Sequence, residues 1–213
     1  MRTIVLLLCA FLTLHSIAQD DMIPDTRKKN ENFVKVRDKE IRGHIATFAI
    51  AGIDERMNKE PLTHVVPPVN YGSDFITFEG HDIKVTIRSE PFDPAKHKLT
   101  YYNEKYLIKI DNKPYYGHYT QVPQRAISSV TVLVGKDTVA IPPQAYADLY
   151  SPSFAYRDGS GTTRTHNRVF LSPDKRTIYI YMLNDETKGK YEVTWVIRDK
   201  QYLQRVVDTG LLQ

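Results

Sequence analysis

The sequence predicts an all-β fold, an antiparallel β-sandwich built from successive hairpins, on three observations. Apolar and polar residues alternate with period two in stretch after stretch from Phe75 to Asp208. Short turn sequences separate those stretches at regular intervals. One run, Ile178 to Leu183, is apolar on both faces, as a central strand covered from two sides must be.

The hairpins follow in order. Ile76 and Phe78 oppose Ile83, Val85 and Ile87 across Gly80-His81, a two-residue turn of the Gly-X kind. Leu99 to Tyr102 and Lys105 to Ile110 flank Asn103-Glu104, and Val130 to Val134 meets Val139 and Ile141 across Gly135-Lys136-Asp137. Val169 to Leu171 pairs with Thr177 to Leu183 around Ser172-Pro173-Asp174-Lys175, where proline and aspartate suit a turn. The last hairpin joins Tyr191–Arg198 to Gln201–Asp208 through Asp199-Lys200, and places Tyr191, Val193, Trp195 and Ile197 on one face.

Outside the hairpins the pattern is sparser. Phe33 to Val36 reads as a first short strand, and Pro142 to Tyr150 as one short helix, with proline suited to its first turn and Ser151-Pro152 ending it. Gly43 to Ile53 fits two templates. Ile41, Ile45 and Phe48 make a helical stripe, Ala46, Phe48 and Ile50 a strand face; Gly43 and Gly52 weigh towards strand.

Residues 1–18 have the form of a bacterial secretory signal peptide. Arg2 supplies the basic tip, Thr3 to Leu14 an uncharged apolar run, and Ser16 and Ala18 the small residues of a cleavage site. The run of about twelve residues is shorter than the ~20 a spanning helix needs, so a secreted or periplasmic location is expected, with no transmembrane segment in the mature chain. Cleavage after Ala18 leaves 195 residues of the 213, and removes Arg2 and the single cysteine, Cys9. The remaining 28 basic side chains face 25 acidic ones, a mild and interspersed excess. A nucleic-acid partner is not expected, since that needs a clustered basic face. Without cysteine the domain holds together by burial alone, and a chain of this length buries roughly 70% of its unfolded surface. The organisation is therefore read as signal 1–18, a flexible polar leader 19–32, and a single domain 33–213.

No stretch carries a specific catalytic, metal or cofactor motif. The six histidines after residue 18 (His44, His64, His81, His97, His118, His166) are scattered and lack metal-ligand spacing. Asp158 to Gly161 and Asn184 to Glu186 lack the acidic density of a calcium loop. Neither metal nor cofactor is expected. Two stretches are candidates for binding. In Asp111–Tyr119 (DNKPYYGHY), Pro114 and Gly117 interrupt the strand pattern, so Tyr115, Tyr116 and His118 are expected on a loop as an aromatic platform. In Tyr156–Arg168 (YRDGSGTTRTHNR), Arg157, Arg164 and His166 stand in a Gly/Ser/Thr-rich loop whose N–H groups and guanidinium forks suit a phosphate or carboxylate. The expected function is a non-catalytic binding or structural module recognising a glycan or an envelope protein. The rival expectation is an extracytoplasmic hydrolase of polymers, whose paired carboxylates only a structure can identify.

Overall fold

The computed structural model describes residues 26–27, 31–47, 62, 64–184 and 189–209. The stretch 1–18 read as a signal peptide, with Cys9, and the apolar residues 48–53 lie outside the described residues.

Two five-stranded antiparallel sheets face one another. The first, sheet A, has the order β1 (His64–Val66), β11 (Arg168–Leu171), β12 (Thr177–Asn184), β13 (Tyr191–Arg198), β14 (Gln201–Asp208). The second, sheet B, runs β2 (Pro68–Tyr71), β3 (Phe75–Gly80), β4 (Ile83–Pro91), β7 (Arg125–Val134), β8 (Asp137–Val139). Two small hairpins stand outside the sheets: β5 (Leu99–Tyr102) with β6 (Tyr106–Ile110), and β9 (Tyr156–Arg157) with β10 (Thr163–Arg164).

Alternation decides what each strand buries. Ile76, Phe78, Val85, Ile87 and Val132 of sheet B meet Val169, Ile178, Ile180, Val193, Trp195 and Ile197 of sheet A in one cluster. β12 occupies the middle of sheet A and is buried along its whole length, as its two apolar faces require. Its second face, with Tyr179, Tyr181 and Leu183, is covered by a helix, α1 (Lys39–Ala46). The expectation of a strand from Gly43 is therefore corrected, because Gly43 to Ala46 close this helix. Asp38 caps it, its carboxylate accepting the N–H groups of Glu40 and Ile41 at 2.9 and 3.1 Å. Ile41 and Ile45 then bury against the sheet while Gly43 looks outward, where its lack of a side chain costs only propensity. Likewise Phe33–Lys35 is a 3-10 turn rather than a strand, and the helix expected over 142–150 shrinks to a 3-10 turn at Pro143–Ala145. After it, Leu149 and Tyr150 form isolated bridges.

The hairpins stand where the alternation places them; Gly135 opens the β7–β8 turn with φ of 62°, but other turns take positive φ without glycine. His81 and Asp82 have φ of 54° and 58°, and Asp199 and Lys200 have 52° and 60°, the positive pair of a type I′ connection. Gly80 is still in the strand, paired with Ile83, and a Cβ there would press on Pro67.

Candidate functional site

Tyr115 and Tyr116 are core residues, which corrects the expectation of an exposed platform. They are 1% and 4% exposed. The segment carrying them is a bridge threaded between other strands: the Tyr116 N–H donates to the Asp148 carbonyl at 2.8 Å, and the Tyr150 N–H to the Tyr116 carbonyl at 2.9 Å. Successive side chains of extended chain point opposite ways, so each ring fills a different cluster. Tyr115 packs with Phe92, Leu107, Ile110 and Tyr150 beneath the β5–β6 hairpin, its hydroxyl shared between the carbonyls of Leu107 and His118. Tyr116 enters the inter-sheet core beside Tyr191. Burial pushes the Tyr115 phenol well above its ordinary range and the Tyr116 phenol up to about 12. Neither ring is placed to meet a ligand.

His118, next along the same segment, does reach a cavity. Gly189 fixes the chain there, for a Cβ on it would overlap the Gly117 carbonyl and His118 Cα. The Nδ1 of His118 accepts the Thr120 N–H at 3.2 Å, so the neutral ring carries its proton on Nε2. His118 lines a cleft of about 250 Å³ with Gln121, Gln124, Arg125 and Ser151. Val122, Pro123 and Pro152 complete the lining with apolar surface. The cleft is held from below: the Ser151 N–H donates to the Arg125 carbonyl, and Arg125 grips Ser89 through Nε and Nη2, both at 2.8 Å. No carboxylate stands among the described lining residues.

Arg157 and Arg164 belong to the separate β9–β10 hairpin, His166 follows it in the chain, and none of the three lines this cleft. The anion cradle expected there is already filled by the protein's own Asp158. Its carboxylate accepts the N–H groups of Ser160 and Thr162 and the Ser160 hydroxyl, and it binds the Arg164 guanidinium. Those donors hold the Asp158 carboxyl well below the usual carboxylate range, the Ser160 hydroxyl contributing most. Arg157 stays exposed, and His166 stacks on Tyr156 with centroids 4.2 Å apart and planes 11° apart.

A charged node centred on Arg205 has no counterpart in the sequence reading. Arg205 of β14, with a side chain 7% exposed, binds Asp148 through both Nη atoms and reaches Glu31 through Nε and Nη2. Its guanidinium lies over the Tyr116 ring, 5.8 Å from the centroid. The node thus ties Glu31, in the stretch read as a leader, to β14 and to the segment that carries Ser151. An arginine directly before Val206-Val207 in an alternating strand is the signal that could have shown it. A second pair orients a histidine: His97 Nδ1 and Asp111 Oδ2 are 2.7 Å apart, with the ring stacked on Phe92. Among the described residues no group of three or more His, Cys, Asp or Glu is placed to hold a metal ion.

Comparisons with family models, with curated proteins and with solved structures find no match to this chain.

Proposed function

We propose that this chain is an exported, non-catalytic binding module that holds a glycan in the cleft between His118 and Ser151. The lining of that cleft carries the reading. The two glutamines each offer donor and acceptor atoms, Ser151 a hydroxyl and His118 an N–H, a set that matches the mixed donor–acceptor character of sugar hydroxyls. Val122, 37% exposed, and the two prolines supply apolar surface for the C–H face of a ring. Described lining residues without a carboxylate favour holding such a ligand over hydrolysing it, because glycoside cleavage uses a carboxylate pair. The hydrolase reading draws its best support from His97 and Asp111, an oriented pair that no hydrogen bond among the described residues connects to a serine or threonine.

The test is calorimetric titration of the mature protein with soluble oligosaccharides drawn from bacterial envelope polysaccharides. Binding by the wild type, weakened about tenfold or more in a Gln121→Ala/Gln124→Ala variant of unchanged melting temperature, is the expected result. Failure of every oligosaccharide to bind, or indifference to both substitutions, would sink it. The export half is tested by mass spectrometry of the secreted protein, which should begin at Gln19.

A further inference from the structure

We infer that the groove along the outer edge of β14 is a docking site for an extended segment of a partner polypeptide, which adds to sheet A as a further strand. β14 is the last strand of its sheet. The Val207 N–H donates to the Glu31 carbonyl at 2.9 Å, so the main chain at Val207 faces away from β13. Alternation along an antiparallel strand turns the N–H and C=O of Arg205 the same way. The protein's own residues 31–33 already lie along this edge at its far end, where the Phe33 N–H also meets the Asp208 carboxylate at 3.1 Å. The groove continues that contact along β14. It has a volume of about 300 Å³, with Glu31, Asn32, Lys35 and Val36 on one wall, Pro142, Gln144 and Ala145 on the other, and Tyr202 to Val206 as floor.

Three observations define the occupant. The Oδ1 atom of Asn32, in the wall, is buried and has no hydrogen-bond partner among the described residues. A buried acceptor left unmet costs roughly 1–3 kcal/mol, and a donor in the groove removes that cost once the Asn32 amide turns to meet it. Leu203 is the extra residue of a bulge: the register passes from Gln204↔Val196 to Tyr202↔Ile197 and skips it, and it is 51% exposed. An extended peptide answers both features, because its N–H groups alternate with side chains able to cover Leu203. A sugar lacks that alternation. Of the charges on that wall, the Glu31 carboxylate is taken up by Arg205, so the exposed Lys35 favours an acidic side chain in the incoming strand. The bulge also makes this edge a poor match for a second flat strand, which points to a particular partner segment rather than to another copy of β14.

The inference concerns a different cavity from the glycan cleft and does not depend on it. A phage-displayed library of random peptides is selected on the full mature chain, and the enriched peptide is synthesised. Leu203→Glu should weaken that peptide about tenfold or more. Methylating the peptide's backbone nitrogens should abolish binding at alternate residues of one parity and leave it intact at the other. In the wild type, peptide binding should slow amide hydrogen exchange at Arg205, a readout that needs no variant to fold. The inference is overturned if no peptide is enriched. It is equally overturned if the bound peptide ignores methylation parity and leaves Arg205 exchange unchanged, or if its binding responds to Gln121→Ala/Gln124→Ala and not to Leu203→Glu.

Discussion

The indole N–H of Trp195 donates to the carbonyl of Ala145 at 2.8 Å, tying the middle of β13 to the turn after β8. Both residues are buried in the inter-sheet cluster, so the bond is made where water cannot replace it. Trp195→Ala should cost about 3–5 kcal/mol through the cavity alone, a large share of the roughly 5–15 kcal/mol of a typical domain. Trp195→Phe keeps most of the apolar volume but orphans the Ala145 carbonyl, for about 1–3 kcal/mol. Urea unfolding followed by circular dichroism gives both numbers. A wild-type midpoint for the alanine variant would refute the placement of Trp195 at the centre of the core.

Tyr115 and Tyr116 should behave as core positions. Tyr115→Ala is expected to lose about 3–5 kcal/mol, whereas Tyr115→Phe leaves the Leu107 and His118 carbonyls short of one donor and loses about 1 kcal/mol. If the alanine variants melt like the wild type, the rings are not packed as described.

These tyrosines mark the limit of what the sequence discloses. The hairpins were legible because alternation and turn chemistry act between neighbours in the chain, and the double apolar face of Ile178–Leu183 announced a cover on both sides. What provides that cover was not legible. α1 uses Ile41 and Ile45, and over so few residues both periods fitted, with the Asp38 cap left unweighed. Pro114 and Gly117 do interrupt the pleat, but whether the interruption projects Tyr115 outward depends on Phe92, Leu107 and Tyr150, which arrive from other segments. The Arg205 node joins residues 57 and 174 positions apart in the chain, and no local pattern encodes such a meeting. Cleft residues such as Gln121 and Gln124 look like any surface glutamines until the fold gathers them.

Two aspartates should titrate with opposite effects on stability. Burial raises the Asp208 carboxyl above 3.8, against the Phe33 N–H that lowers it. The folded state therefore holds that proton more tightly, and stability from this group rises as pH falls through the folded pKa towards 3.8. Asp38 is lowered, chiefly by the Ile41 N–H and also by Arg198. Its contribution is present above 3.8 and is lost as pH falls through the folded value below it. In a series of melts from neutral to acid pH, Asp208→Asn should lack the first trend and Asp38→Asn the second. Profiles of both variants parallel to the wild type would contradict these assignments.

The Asp158 carboxylate organises the β9–β10 connection from a partly buried position. Asp158→Ala should accelerate amide exchange at Ser160 and Thr162, whose N–H groups it accepts at 3.0 and 2.9 Å, while the global melting temperature stays unchanged. A large fall in melting temperature would mean that the hairpin contributes to the core.

Arg205 should be the most costly charge to remove. Its guanidinium is nearly sealed, while Asp148 and Glu31 are 28% and 31% exposed. Arg205→Ala leaves Asp148 beside the Tyr116 ring without its cation, and breaking a buried pair from one side typically costs about 3–5 kcal/mol. Glu31 is wetter and its partner keeps Asp148, so Glu31→Ala should lose only about 1 kcal/mol. Much of the Arg205→Ala penalty belongs to the stranded carboxylate rather than to the pair. Arg205→Met/Asp148→Asn should therefore recover stability relative to Arg205→Met alone, since methionine refills the volume and the amide carries no charge. A double-mutant cycle by urea unfolding separates the terms. Coupling between 205 and 148 should exceed coupling between 205 and 31. Equal, small couplings would place both ion pairs in solvent and remove the node as a tie between β14 and the segment of Asp148.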